Sequence, residues 1–154
     1  MMMVSIKELP QISVELINKL IISMDLYREI SQKYSDVLFN EEIKRLALEK
    51  KIFLKDFQSI KDFNVSDHLK ENEDKINIEK ENLLIKINHL FLNKSNEDVL
   101  EFVIEQENKL TDLYHLLFME KVEDDFIRMI LKNQLDETKR SIRELEELRV
   151  ELNA

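Results

Sequence analysis

Apolar residues recur along most of this chain at steps of three and four, the spacing that lines one face of an α-helix. The first run starts near Ser13. Leu16, Leu20, Met24, Tyr27, Ser31, Tyr34 and Leu38 form a stripe, Ile17, Ile21 and Ile30 widen it, and Glu15, Asp25, Arg28 and Lys33 lie off it. Met1 to Gln11 reads as a lead-in, with Pro10 suited to a first helical turn. Phe39-Asn40-Glu41-Glu42 reads as a turn and restart, with Asn40 capping a second helix and the two glutamates in its anion-favouring first turn. That helix carries Ile43, Leu46, Ala47, Phe53, Leu54, Phe57 and Ile60 on its apolar side, and Lys50 falls on the same side.

Asn64 to Asn82 is rich in Asn, Asp, Glu and Lys, which predicts a solvent-exposed connection that includes a weak helical segment. Leu83, Leu84, Ile87, Leu90 and Phe91 then make a short amphipathic helix covering one side or end, which Asn93 and Asn96 end in place of Gly. Ser95 to Asp98 suits a cap for the next helix, which runs to about Met119. Leu100, Val103, Glu107, Leu110, Tyr114 and Leu117 share its inner face. A carboxylate in the middle of an apolar face is costly to bury unless something pairs with it. The chain is therefore expected to be arranged around whatever meets Glu107. After a polar turn at Glu120 to Asp124, a fourth helix carries Ile127, Ile130, Leu131, Leu135, Ile142, Leu145, Leu148 and Leu152, and the charges near its end read as a solvated face.

The result is one domain over residues 1–154: a hairpin at 13–63, a crossover at 64–96 and a second hairpin at 97–152. The hairpins look alike. Each has a Tyr late in its first helix (Tyr27, Tyr114), and Ala47, Leu54, Phe57 and Ile60 answer Leu135, Ile142, Leu145 and Leu148. Two similar antiparallel hairpins joined by a long, partly helical crossover predict an all-α four-helix bundle.

Composition narrows the function. Net charge is -9 with no concentrated basic patch, which speaks against a nucleic-acid partner. There is no Cys, hence no disulfide, thiolate zinc site or cysteine nucleophile. There is also no Gly, which argues against phosphate-cradling loops, dinucleotide-binding turns and nucleophile elbows. The opening M-M-M-V-S-I-K-E-L-P does not read as a secretory leader, and no stretch is apolar for long enough to span a bilayer. No membrane association and a cytoplasmic location are expected.

Glu107 and Tyr114 together make an E-x6-Y pattern. With D-L-Y-R-E-I at Asp25 to Ile30, and Leu46-Ala47 in register with Phe57, the chain resembles the rubrerythrin-like branch of the ferritin-like superfamily. The resemblance implies a ferritin-like bundle in which each hairpin's first helix gives a Glu and its second a Glu-x-x-His, together holding two iron or manganese ions. Carried over one position at a time, the ligands fail. Leu20 stands where the first Glu belongs, Lys50 and Phe53 where the second helix should have Glu and His, and Thr138 and Ser141 where the fourth should; Glu107 is kept. A one-residue shift recovers Glu49 and Glu137 but no histidine, and His68, His89 and His115 each lack a Glu three residues before. Lys50 would repel a divalent ion ~6 Å away by roughly 5 kcal/mol at an effective dielectric of about 20.

The interior is thus expected to hold a polar cluster instead of metal: Lys50 paired with Glu107, closed by Tyr27 or Tyr114 and by Thr138 or Ser141. No cofactor is expected, and the chain reads as a non-catalytic binding or structural module, as a homodimer or with a protein partner. The alternative is an iron or manganese oxidoreductase or iron-handling protein using Glu49, Glu107 and Glu137. It requires both Glu49 and Glu137 to face Glu107. A third reading is a helical adaptor unrelated to ferritins.

Overall fold

The computed structural model describes residues 12–33, 37–60, 64–92, 96–120, 122 and 124–152. The regular structure among them is all helical: α1 (Ile12–Lys33), α2 (Val37–Phe57), α3 (Val65–Glu71), α4 (Glu73–Leu92), α5 (Asn96–Met119) and α6 (Asp125–Leu152). Contacts run in a closed cycle, α1 to α2, α2 to α6, α6 to α5 and α5 back to α1, while α4 packs on α1 and α5.

Side-chain pairings give the directions. The Phe53 carbonyl meets Gln134, Glu49 meets Ser141 and Arg45 meets Glu144, so α2 and α6 are antiparallel. Tyr114 with Gln134 and Glu101 with Arg149 make α5 and α6 antiparallel as well. Hence α2 and α5 point the same way, and the chain must return along the molecule between them. It does so in α4, which runs parallel to α1 through Lys19–Glu79, Asp25–Lys80 and Lys33–Asn88.

This replaces the polar connection expected at Asn64 to Asn82. Asn64 is extended and its side chain accepts from the Asp67 N–H, starting α3, and α4 continues without interruption to Leu92. The segment is polar because it buries only a narrow stripe, Ile76 and Ile87 flanked by Leu83, Leu84 and Leu90, and leaves Ile78 and Ile85 on its outer face. A one-sided helix on the outside of a bundle needs little more. Asn96 opens α5 instead of ending α4, and Asn93 and Ser95 lie outside the described residues.

The expected turn at Phe39–Glu42 also gives way. α2 has already begun at Val37, so Asn40 sits inside the helix. Phe39 is fully buried, which fixes this stretch against the core, and Glu42 pairs with Arg45 at 2.6 Å. Tyr34 and the side chain of Leu38 lie outside what is described.

α1 is the central element. Leu16, Ile17, Leu20, Ile22, Leu26, Tyr27 and Ile30 are all fully buried, on several sides of the helix, because α2, α4 and α5 surround it. α6 is the opposite case, with its buried positions at steps of three and four and an outer face of pairs such as Glu137–Arg140.

The buried apolar residues form two clusters, one toward each end. The first joins Leu16–Ile22 of α1, Phe53–Phe57 of α2, Leu110–Leu117 of α5 and Ile127–Leu135 of α6. The second joins Leu26–Ile30, Phe39–Ala47, Val99–Ile104 and Leu145–Leu148 of the same helices. Between them α1, α2, α5 and α6 each contribute buried polar residues: Ser23, Glu49 with Lys50, Gln106 with Glu107, and Thr138 with Ser141. The core is therefore two apolar halves separated by a polar layer.

Candidate functional site: a buried polar layer

Lys50 and Glu107 are both fully buried, and Lys50 Nζ lies 2.6 Å from Glu107 Oε1. Helical periodicity brings them there, since each sits on the apolar face of its own helix. The second Glu107 oxygen accepts from the Tyr27 hydroxyl at 2.6 Å. Lys50 also donates to Glu49 Oε1 at 2.7 Å, and its Nζ stands 5.3 Å from the centre of the Phe53 ring. Glu49 Oε2 accepts from Ser141 at 2.8 Å, and Ser141 in turn accepts from Arg45 Nη2 at 3.2 Å. Arg45 reaches Glu42 and Glu144 at the surface. An unbroken chain of charge-assisted hydrogen bonds thus runs from Tyr27 in the interior to Arg45 at the edge.

Electrostatics follow from this pairing. Burial alone would pull the Lys50 ammonium below the ordinary lysine range, but Glu107 and Glu49 outweigh it and hold it above. Burial pushes the Tyr27 hydroxyl well up, and the Glu107 carboxylate pushes in the same direction. Tyr114 is raised for the same two reasons. Both tyrosines are thus proton donors, fixed in their neutral form.

The expected residues divide. Lys50, Glu107 and Tyr27 come together directly. Ser141 joins through Glu49, which the expected cluster did not include. Tyr114 turns away and donates to Gln134 Oε1 at 2.7 Å, while Gln134 Nε2 donates to the Phe53 carbonyl at 3.1 Å. That amide lies one helical turn from the Thr138 position. Thr138 is fully buried, but its hydroxyl donates to the Gln134 carbonyl on its own helix at 2.8 Å. A buried Thr in a helix has that acceptor always at hand. Tyr114 and Thr138 therefore flank the charged centre without bonding to it.

Glu49 and Glu137, which the di-metal reading needs side by side, separate. Glu49 points inward to Lys50, whereas Glu137 is part-exposed and pairs with Arg140 at 2.6 Å. Among the described residues no group of three or more His, Asp or Glu is placed to hold a metal ion. The donor chemistry also does not fit a metal pair: both Glu107 oxygens are engaged by donors, and an ammonium lies between the two buried carboxylates.

Sequence reasoning missed a second buried polar group. Lys19 is buried on α1 and donates to Gln106 Oε1, with Glu79 Oε1 at 3.6 Å. Next to it, Asn18 Oδ1 is 2.6 Å from His68 Nε2. The available signal was N-K between two apolar pairs, L-I-N-K-L-I at 16–21, which places polar residues where a surrounded helix has no exposed face.

No family model, no curated protein and no solved structure matches this chain. What the structure defines is a class: an all-helical protein whose core is divided by a buried, internally paired ionic layer. Among the described residues, no helix is long and apolar enough to cross a membrane.

Proposed function

We propose that this chain is a ferritin-like, rubrerythrin-like bundle in which a protein-made ion pair has replaced the di-metal centre, and that it acts as a non-catalytic binding or structural module. The observation that carries this reading is the Lys50 ammonium, 2.6 Å from Glu107 and 2.7 Å from Glu49. A cation of the protein stands where metal ions would neutralise those carboxylates. Support also comes from the polar layer crossing α1, α2, α5 and α6, and from α4 as the return between two helices that point the same way. The adaptor alternative would be favoured by a chain without a long crossover between its hairpins, and here α3 and α4 fill that crossover. The oxidoreductase reading needs Glu137 inside, and its pairing with Arg140 draws it outward.

The module is read as working in a homodimer or on a protein partner in the cytoplasm, with nucleic acid disfavoured by a net charge of -9. Elemental analysis of protein produced with excess iron and manganese tests the central claim. The expected result is no stoichiometric metal after dialysis; a pair of retained ions bridged by Glu49 and Glu107 would overturn it. Light scattering across a concentration series tests the dimer, which a monomer at every concentration would exclude.

A further inference from the structure

α4 is apolar on two sides. Its inner side sets Ile76, Leu83, Ile87 and Leu90 against the core, where α4 meets α1 and α5. Its outer side carries Ile78, Ile85 and Leu92, which are 63%, 63% and 78% exposed. These three stand at steps of seven. A helix drifts only about 20° over seven residues, so they lie in one row. Elsewhere among the described residues, exposed large apolar side chains come singly or as a neighbouring pair, Leu48 with Ile52 being one. An apolar row on an otherwise polar face marks a contact surface. Because α4 lies outside the cycle of α1, α2, α6 and α5, its row can be covered without opening the core.

Charge along the helix selects what covers it. Four residues before the members of the row stand Asp74, Glu81 and Asn88, all exposed. Asn88 Oδ1 accepts from the Lys33 ammonium at 2.8 Å, with Glu29 farther from that ammonium at 3.8 Å. This flank is therefore negative early in α4 and carries a cation near its end. The whole helix follows the same trend. Its first half exposes Glu73, Asp74 and Glu81 against one exposed lysine, Lys75, whereas no acid occurs from Asn82 to Leu92, where Lys86 and His89 stand. The row itself is symmetric, since a half-turn about Ile85 exchanges Ile78 with Leu92. A second copy laid antiparallel thus meets this face apolar on apolar, and Glu81 comes level with Asn88 and its cation on the other copy. A parallel copy would set Asp74 on Asp74 and Glu81 on Glu81, which like-charge repulsion opposes. A patch that complements itself under a two-fold axis is what an isologous dimer requires.

We propose that the outer face of α4 is the seam of a homodimer, with two copies crossing antiparallel over a two-fold axis at Ile85. This seam rests on the homodimer in the proposed function and needs neither the Lys50 pair nor the ferritin-like reading.

Sedimentation velocity of the full chain over a concentration series tests it, with a dimer that dissociates on dilution as the expected result. Ile85→Glu places two carboxylates face to face on the axis. It is expected to raise the dimer Kd at least about a hundredfold. The helical spectrum should not change, because Ile85 is exposed in the single chain. Since the chain has no Cys, single thiols report the orientation. Under mild oxidation, Ile85→Cys is expected to give a disulfide-linked dimer, and so is an equimolar mixture of Ile78→Cys and Leu92→Cys. Ile78→Cys by itself should stay unlinked, because antiparallel copies hold its two positions about 20 Å apart. A parent chain that is monomeric at every concentration would overturn the seam and the homodimer together. A dimer that survives Ile85→Glu would leave the homodimer standing and overturn the seam alone, as would linkage of Ile78→Cys to itself.

Discussion

Among the described residues two lysines are buried, and they live in opposite circumstances. Lys50 has two carboxylates within 2.7 Å, and its proton is held more tightly than in water. Lys19 has an amide oxygen and one carboxylate at 3.6 Å, and its proton is held less tightly. Burial acts on both in the same direction. What differs is the number and charge of the acceptors. A closed ionic cluster fixes its members; an incompletely matched one leaves hydrogen-bonding capacity unused. The first is paired on every side, whereas the second leaves buried amide donors unmet among the described residues.

The largest effect is expected from breaking the closed cluster on one side. Lys50→Met keeps most of the side chain's length but leaves Glu107 and Glu49 without their cation. It should cost about 3–5 kcal/mol in urea unfolding, as loss of one member of a buried pair does. The matching change at the open site, Lys19→Met, should cost no more than about 1–2 kcal/mol, mostly from the Gln106 oxygen it strands. Equal losses at the two sites would remove the contrast.

A smaller effect is expected at the edge of the layer. Tyr114→Phe strands the Gln134 oxygen and should cost about 1–3 kcal/mol. Because Tyr114 does not bond to Glu107, combining it with Tyr27→Phe should give losses that add to within about 0.5 kcal/mol. A larger coupling would mean that the two tyrosines belong to one network.

The smallest effect sharpens the comparison through pH. Tyr27, Tyr114 and Lys50 all keep their protons to higher pH folded than unfolded. Their contribution is complete below about pH 10 and is lost as pH rises further, because the unfolded chain then releases protons that the native one retains. Lys19 works the other way: its folded value lies below the ordinary 10.5, so stability rises with pH between the two. Urea midpoints measured across this range should fall with pH in the parent and fall more steeply in Lys19→Met. A shallower fall in the variant would show that the sign assigned to Lys19 is wrong.

Helical periodicity determined a great deal here. The all-helical class, the inward face of α5 with Glu107, and Lys50 on the apolar side of α2 are all properties of spacing within a single helix, so one dimension suffices to see them. The meeting of Lys50 with Glu107 could also be anticipated, since a buried charge needs an opposite one. Other features depend on which helix lies beside which. Glu49 and Lys50 are adjacent in sequence, and only the packing of α2 between α1 and α6 turns both toward the interior. Tyr114 bonds to Gln134, a partner that α6 supplies and that nothing on its own helix announces. The second half of the return helix, Leu83 to Phe91, was legible, but its first half, Glu73 to Asn82, was hidden by its polar composition, since a helix that buries only a stripe has little periodic signal to show. Lys19 and Asn18 meet their partners only because α3, α4 and α5 pack against α1. Local spacing records which way a side chain faces along its own helix; the partner it meets, and whether that partner is sufficient, is a property of tertiary packing.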